Sequence, residues 1–311
     1  MILKNVNATG IDLFAGAGGT STGATMAGVD MLWAGNHDPE AVKFHALNNP
    51  TIQHICQDLH QADWSAIPSH DITFASPCCS GHSRAAGKAT RTNKADKSRS
   101  TAWAVVSCLE AQRSEVAIIE NVADFLKWKL FDAWVYALKS LGYSISVNRI
   151  NAIDLGVPQN RPRVFIIATR SRHPIELKLD NETHLAARTI IDTNFEGHIW
   201  DHVSNRVEAT QKRVVNGRNR FGEIFLDAAY GSEKGGRSID KPIGTITTVN
   251  KHSLVIGNYM RPITIKEQAA AQTFPDDYIF PSKNTITKRL IGNAVPPIMA
   301  KKLTLAVLNA A

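Results

Sequence analysis

Several things are missing from this 311-residue sequence, and each absence excludes something. No apolar run reaches the roughly 18 residues that a membrane-spanning helix needs, so no membrane partner is expected. The N-terminal stretch Met-Ile-Leu-Lys-Asn-Val-Asn runs into a strand-like segment without a signal-peptide pattern. Cysteine is scarce. Cys56, Cys78, Cys79 and Cys108 are the full set, and no Cys-x-x-Cys pair occurs among them. That argues against a zinc ribbon and a thioredoxin-type site, and a reduced, cytoplasmic protein is the simplest expectation. The Gly-x-Gly-x-x-Gly spacing of nicotinamide-linked dehydrogenases is also absent. There is no internal repeat, and charged residues, at 20%, are too ordinary a share for bulk disorder.

What is present suits a sizeable core, in one large domain or a large and a small one. Hydrophobic residues make up 43% of the chain. The formal charge of +7 favours a polyanionic partner without fixing one. Short apolar runs alternate with helical stretches through the first half. Ile11–Phe14, Met31–Ala34, Ile72–Ala75, Val116–Ile119, Tyr143–Val147 and Val164–Ala168 read as strands. Gly19–Gly28, Pro39–Leu47, Trp103–Gln112 and Leu130–Leu141 read as helices. This alternation predicts a doubly wound α/β sheet. Beyond about Thr169 the pattern loosens, and residues 170–260 read as a smaller α/β or mostly β module. Two helices, Ile265–Gln272 and Pro296–Asn309, follow.

The segment Asp12-Leu13-Phe14-Ala15-Gly16-Ala17-Gly18-Gly19 joins a strand to a helix. Glycines there permit a tight turn and close approach of a ligand, and the helix start offers unused N–H groups. Such a turn is common among nucleotide binders, but its wording resembles the first AdoMet-binding motif of the DNA cytosine-5 methyltransferase family. Further segments match that family in order. Asn36-His37-Asp38-Pro39 stands where the family holds the ribose hydroxyls, with an amide at Asn36 in place of the usual acid. Asp58 matches the aspartate that faces the adenine amino group. Glu120, in Ile119-Glu120-Asn121-Val122, matches the glutamate that bonds the cytosine ring and offsets charge building there. Arg161 and Arg163, in Gln159-Asn160-Arg161-Pro162-Arg163, match the arginines that hold the base, the catalytic glutamate and phosphates. Arg261 through Pro275 resembles the family's ninth motif. Gly292-Asn293-Ala294-Val295-Pro296-Pro297 resembles the tenth, which completes the AdoMet site.

The loop Ser76-Pro77-Cys78-Cys79-Ser80-Gly81-His82-Ser83 corresponds to the family's nucleophile loop. A cysteine is needed because C6 of cytosine is a poor electrophile and requires a soft, strong nucleophile. A metal site is not expected, since two adjacent cysteines cannot easily aim at one ion. Following Pro77 would select Cys78, but the family's cysteine lies two residues before a small residue and four before a serine. Cys79, Gly81 and Ser83 keep that spacing, so Cys79 is the expected nucleophile and Cys78 a small packed residue.

The resemblance implies an α/β fold: a Rossmann-like AdoMet-dependent methyltransferase domain with a mixed, mostly parallel sheet, plus a smaller target-recognition domain. Residues 1–175 would form the catalytic and AdoMet-binding domain, 176–284 the recognition domain, and 285–311 a segment returning to the first. It implies AdoMet (S-adenosyl-L-methionine) as cofactor, held by Asp12, Phe14, Gly16, Gly18, Gly19, Asn36, His37, Asp58, Pro77, Asn293 and Ala294. Cys79, Glu120, Arg161 and Arg163 would be catalytic. The polar, basic stretch after the cysteines would close over double-stranded DNA through Ser83, Arg84, Lys88, Arg91 and Lys94, because a base must leave the duplex to be modified. Thr245 and Thr247 would approach the DNA from the recognition region. The implied protein acts as a monomer on DNA in a prokaryotic or phage setting, with a restriction nuclease as a conceivable companion. The competing classes are an RNA cytosine-5 methyltransferase, which a comparison of duplex DNA with tRNA as substrate separates, and a catalytically inactive DNA-binding relative.

Overall fold

The computed structural model describes residues 7–78, 93–230 and 235–310, with only the backbone of residues 93–100. The chain divides into two compact units. The first comprises Met1–Asn151, Pro162–Asn181 and Ala294–Ala311, and the second Ala152–Arg161 and Glu182–Asn293. Two short stretches therefore fall with the second unit rather than where the sequence suggested: residues 152–161, and residues 285–293 ahead of the final segment.

The first unit is built on β1 (Thr9–Leu13), β2 (Asp30–Asn36), β3 (Gln53–Cys56), β4 (Ile72–Ala75), β5 (Val116–Asn121), β6 (Ser144–Asn151) and β7 (Pro162–Thr169). They form one sheet in the order β3-β2-β1-β4-β5-β7-β6. The neighbours from β3 through β5 run parallel, and β7 runs antiparallel to both β5 and β6. This is the mixed, mostly parallel sheet of a Rossmann-like α/β protein. Its central strands are largely apolar because helices cover both faces; all four residues of β4, Ile72-Thr73-Phe74-Ala75, are buried. Chain order reverses between β1 and β4. A crevice opens at such a switch point, beyond the carboxyl ends of the strands.

Helices α1 (Gly19–Met26), α2 (Pro39–Asn48), α3 (Asn93–Gln112) and α4 (Phe131–Ser140) connect these strands. Pro39 opens α2 behind Asp38, whose side chain accepts the Glu40 main-chain N–H at 3.1 Å. On α3, Ala102, Val105 and Leu109 recur at helical spacing and are buried. The Trp134 indole of α4, fully buried beside them, donates to the Ala102 carbonyl at 2.9 Å. The last helix, α8 (Pro297–Ala310), lies on α1. The approach is very close: a Cβ on Gly19 would lie 2.1 Å from the Val295 carbonyl oxygen, and one on Gly23 2.3 Å from that of Pro297. Only glycine fits at either place.

The second unit is α+β. Strands β8 (Asp201–His202), β9 (Ile224–Ala228), β10 (Arg237–Ser238), β11 (His252–Ile256) and β12 (Tyr259–Pro262) form an antiparallel sheet in the order β10-β9-β11-β12-β8. Helix α5 (Glu208–Phe221) packs on β9, with Val214 buried and Gly217 against the Phe225 ring. Helix α6 (Ile265–Ala271) starts with a reciprocal capping box between Thr264 and Glu267. Helix α7 (Asn284–Asn293) follows. Leu226, Ile243, Ile246, Leu254, Ile263 and Ile291 belong to its core. Glu267 also takes both arms of the buried Arg261 guanidinium, at 2.7 and 2.9 Å. Strand β3 and helices α5 and α7 were not anticipated from the sequence.

Candidate active site

The site of the first unit is assembled at the carboxyl ends of β1, β2, β4 and β5. The turn after β1 departs from ordinary backbone geometry at three places. Phe14 has φ +62°, Gly16 +56° and Gly18 +87°. A left-handed aromatic residue is costly, of order 1–3 kcal/mol, and persists only where its surroundings impose it, often at a ligand site. The half-buried Phe14 ring packs against the core below. Gly18 offers no side chain to cap α1. Asp12 acts from beneath instead: Ser21 Oγ lies 2.7 Å from its Oδ2, and the Ser21 main-chain N–H supports the same carboxylate. Asp12 is fully buried, and burial raises its pKa to about 7, with the Ser21 hydrogen bonds opposing that rise.

At the end of β2, Asn36 is buried, and its Oδ1 accepts the Asp38 main-chain N–H at 3.0 Å. His37 is exposed. Asp58, also exposed, accepts the His60 main-chain N–H at 3.0 Å and so caps a short 3₁₀ turn.

Beyond β4 the chain enters the cysteine loop. Asn121 Nδ2, at the end of β5, donates to the Pro77 carbonyl at 3.1 Å. The Cys78 main-chain N–H donates to Thr101 Oγ1 of α3 at 3.0 Å. The start of the cysteine loop is thus tied at Pro77 to the strand that carries Glu120, and at Cys78 to α3. Cys78 itself is half-buried. Cys79, Ser83, Arg84, Lys88 and Arg91 lie outside the described residues, as does the side chain of Lys94.

Glu120 sits near the end of β5. Because β7 runs antiparallel to β5, the start of β7 lies beside it, and Arg163 Nε reaches Glu120 Oε1 at 2.9 Å. Their side chains are 14% and 13% exposed. The pair is therefore desolvated enough to be strong and open enough to meet a ligand. A cleft lies beside it, lined by Thr20, Ser76, Glu120, Phe165, Val295 and Thr304 among others, all from this unit.

The remaining candidates are placed elsewhere. Arg161 is 1% exposed within the second unit. Its guanidinium donates to the carbonyls of Ile246 at 3.0 Å and Gly292 at 2.9 Å. That is bracing geometry, and it departs from the contact with base or phosphate that the resemblance implied. Thr245 Oγ1 donates to the Asn160 carbonyl at 2.7 Å, and Thr247 Oγ1 to that of Val249 at 2.6 Å. Asn293 is the exposed last residue of α7 in the second unit, and Ala294 is the buried first residue of the final segment of the first. Sequence reasoning missed His45 and His54, which continue the buried polar chain from Asp12 and Ser21. Their signal was a histidine at the inward position of α2, four residues after the buried Ala41.

A Rossmann-like sheet with a glycine turn after β1 and an acid–arginine pair beyond β5 defines a nucleotide-cofactor enzyme of the methyltransferase class. The family model for C-5 cytosine-specific DNA methylase matches residues 8–309, and the chain belongs to that family. Among curated relatives, the Type II methyltransferase M1.HphI of Haemophilus parahaemolyticus is 29% identical, over 97% of this chain and 87% of that protein. M.DdeI of Desulfomicrobium norvegicum is 25% identical, over 94% and 86%. Among solved structures, the Entamoeba histolytica methyltransferase EhMeth superposes with a TM-score of 0.71 at 15% identity, covering 98% of this chain and 99% of that one. A Spodoptera frugiperda DNMT2 gives 0.69 at 18%, covering 97% and 99%. At those identities the two structures speak for the fold. The chain is a DNA cytosine-5 methyltransferase.

Proposed function

We propose that the protein transfers a methyl group from AdoMet to C5 of a flipped-out cytosine in double-stranded DNA, with Cys79 as nucleophile. The observation that carries this reading is the Glu120–Arg163 pair together with the Asn121–Pro77 hydrogen bond. It brings the ring-activating acid and the cysteine loop to one strand end.

Cys79 forms a bond to C6, and electron density moves through the ring to C5, which becomes nucleophilic. Glu120 hydrogen-bonds the Watson–Crick edge of the base and offsets the charge that grows there. Arg163 holds the Glu120 carboxyl group in place. Loss of the C5 proton and departure of the Cys79 sulfur restore the aromatic ring. Arg161 acts as a brace within the second unit. AdoMet supplies an electrophilic methyl group on a cationic sulfur. The residues present fit it: Gly18 and Gly19 leave the start of α1 without side chains, and buried Asp12 keeps Oδ1 without a hydrogen-bond partner. Asn36 and His37 would hold the ribose, Asp58 the adenine amino group, and Pro77, Asn293 and Ala294 the methionine end.

Ser83, Arg84, Lys88, Arg91 and Lys94 would meet DNA phosphates, while the second unit, with Thr245 and Thr247, would serve as the target-recognition domain. The Type II names of the relatives support a place in a restriction–modification system, opposite a nuclease of the same specificity. No helix among the described residues is long and apolar enough to cross a membrane.

The test is nucleoside mass spectrometry of duplex DNA treated with protein and AdoMet, with covalent trapping on DNA carrying 5-fluorocytosine, which blocks the final elimination. We expect 5-methylcytosine as product, and a trapped adduct that Cys79→Ser abolishes and Cys78→Ser retains. N4-methylcytosine, N6-methyladenine or no product would overturn the activity. An adduct mapped to Cys78 would overturn the register alone.

A further inference from the structure

The first unit holds a line of four hydrogen-bonding side chains that the reaction above does not use. It starts at Asp12 on β1 and passes through Ser21 on α1 and His45 on α2 to His54 on β3. Asp12 Oδ2 and Ser21 Oγ are 2.7 Å apart, Ser21 Oγ and His45 Nε2 2.9 Å, and His45 Nδ1 and His54 Nε2 2.7 Å. Asp12, Ser21 and His45 are each at most 1% exposed, and His54 is partly open to solvent. Burial lowers the His54 pKa, and a backbone hydrogen bond to Ile52 opposes that fall. No group of three or more acidic, histidine or cysteine side chains among the described residues could hold a metal ion, so the line is organised by protons.

Proton counting leaves two complete patterns, because a neutral imidazole has one donor and one acceptor. In one, a protonated Asp12 donates to Ser21, Ser21 to His45 Nε2, His45 Nδ1–H to His54 Nε2, and His54 Nδ1–H to Ile52. In the other, every donor reverses up to His54. Ser21 donates to an ionised Asp12, His45 Nε2–H to Ser21, and a doubly protonated His54 to His45 Nδ1. Both patterns contain the same number of protons. Each proton moves by one link, and the net effect is to carry one proton from Asp12 to His54. An ionised Asp12 with a neutral His54 would instead force one bond to be given up.

We propose that Ser21, His45 and His54 are positioning residues for the cofactor turn, forming a relay that sets whether the one shared proton rests on Asp12 or on His54. The relay gives the turn a carboxylate whose charge can be switched without exchanging a proton with solvent through the closed core. Burial favours the neutral pattern in the free protein, since it lifts the Asp12 pKa to about 7 and lowers that of His45 to about 3. A cationic ligand over the turn favours the reversed pattern, in which Asp12 is ionised; this part rests on the AdoMet reading. Few other titratable groups surround the line. Helix α1 and strand β4 have none. Strand β2 has Asp30 alone at its exposed start, β3 adds the exposed Cys56, α2 adds Glu40 and the exposed Lys43, and α8, packed on α1, adds Lys301 and Lys302.

The experiment is nitrogen-15 NMR of the histidine rings in the full-length protein, which reads each ring's tautomer directly. In the free protein at neutral pH we expect His45 in one tautomer, protonated at Nδ1. Saturation with AdoMet should move that proton to Nε2 and leave His54 doubly protonated. S-adenosylhomocysteine, which lacks the sulfonium charge, should shift the two rings less. Ser21→Ala cuts the line at the cost of one hydroxyl. It should abolish the response of both rings, while calorimetry still records AdoMet binding. Rings that average between tautomers, or that respond equally in wild type and Ser21→Ala, would overturn the relay. Failure of the wild-type protein to bind AdoMet would overturn the cofactor reading, and the free-protein tautomers would still test the relay.

Discussion

Each unit places one arginine–glutamate pair in a low-exposure setting, and the two pairs are built differently. In the second unit, Arg261 and Glu267 are 2% and 6% exposed. Glu267 closes the capping box of α6 and accepts the Asp192 main-chain N–H at 2.9 Å, and Arg261 donates to the Asp192 carbonyl. Their polar atoms are directed at the fold itself. In the first unit, Glu120 and Arg163 meet at 2.9 Å at a strand end, beside a cleft. A sealed, multiply bonded pair holds a unit together, and a half-open pair keeps capacity for a substrate. The lesson is that the residue types are the same and the surroundings decide the role.

The largest contrast should appear when each acid is neutralised. Glu120→Gln should keep the melting temperature and DNA binding but lower single-turnover methylation about 100- to 1,000-fold, because an amide stabilises growing ring charge poorly. Glu267→Gln should cost about 3–5 kcal/mol in denaturant unfolding by leaving Arg261 buried and unmatched, while folded molecules turn over normally. Equal melting losses in the two variants would erase the distinction. The arginines sharpen it. Arg163→Lys should reduce turnover by roughly tenfold, since a lysine cannot reproduce the guanidinium fork. Arg161→Met should act through stability, by orphaning the Ile246 and Gly292 carbonyls, at about 1–3 kcal/mol each. A pure turnover defect in Arg161→Met would return that residue to the chemistry.

A third contrast concerns the buried acid without an arginine. Asp12 has a folded pKa raised from 3.8 to about 7. Between those values the folded chain retains a proton that the unfolded chain has lost. Native stability therefore falls as pH rises through that window and stays at its lower level above about 7. His45 contributes the opposite slope, since its pKa is lowered from 6.5 to about 3, but it is present in both proteins and drops out of the difference. Asp12→Asn should accordingly gain on wild type in unfolding experiments from pH 4 to pH 7. A gap independent of pH would show that Asp12 is ionised throughout. The smallest effect is expected from the basic stretch that follows the cysteines. Neutralising Lys88, Arg91 and Lys94 should weaken binding to every DNA sequence alike and flatten its salt dependence, and a wild-type salt slope would leave them as ordinary solvated charges.

The same contrast explains what could be read in advance. The central strands of the first unit are buried on both faces, so Ile72–Ala75 and Val116–Ile119 appear as largely apolar runs. Strand β3, Gln-His-Ile-Cys at the sheet edge, has no such run and was missed. Helix α5 buries only Val214 and Gly217, so it lacks the apolar stripe that announces a helix, and two-residue strands such as β8 and β10 are too short for any period to show. At the site, the motif order located Glu120 and Arg163. It could not separate Arg161 from Arg163, which have the same chemistry two residues apart and different surroundings. It was also silent on His45, which becomes meaningful only when α1, α2 and β3 bring Ser21 and His54 to its two ring nitrogens.

The contact of Gly19 and Gly23 with the backbone around Val295 and Pro297 has a consequence for synthesis. The cofactor turn leaves the ribosome well before the wall it packs against, which is encoded more than 270 residues later. A nascent chain halted at residue 290 would present β1, the turn and α1 with one side bare. The ability to retain the cofactor should thus arrive abruptly, once residues 295–297 have been made, and chains that stop short of them should leave DNA unmodified.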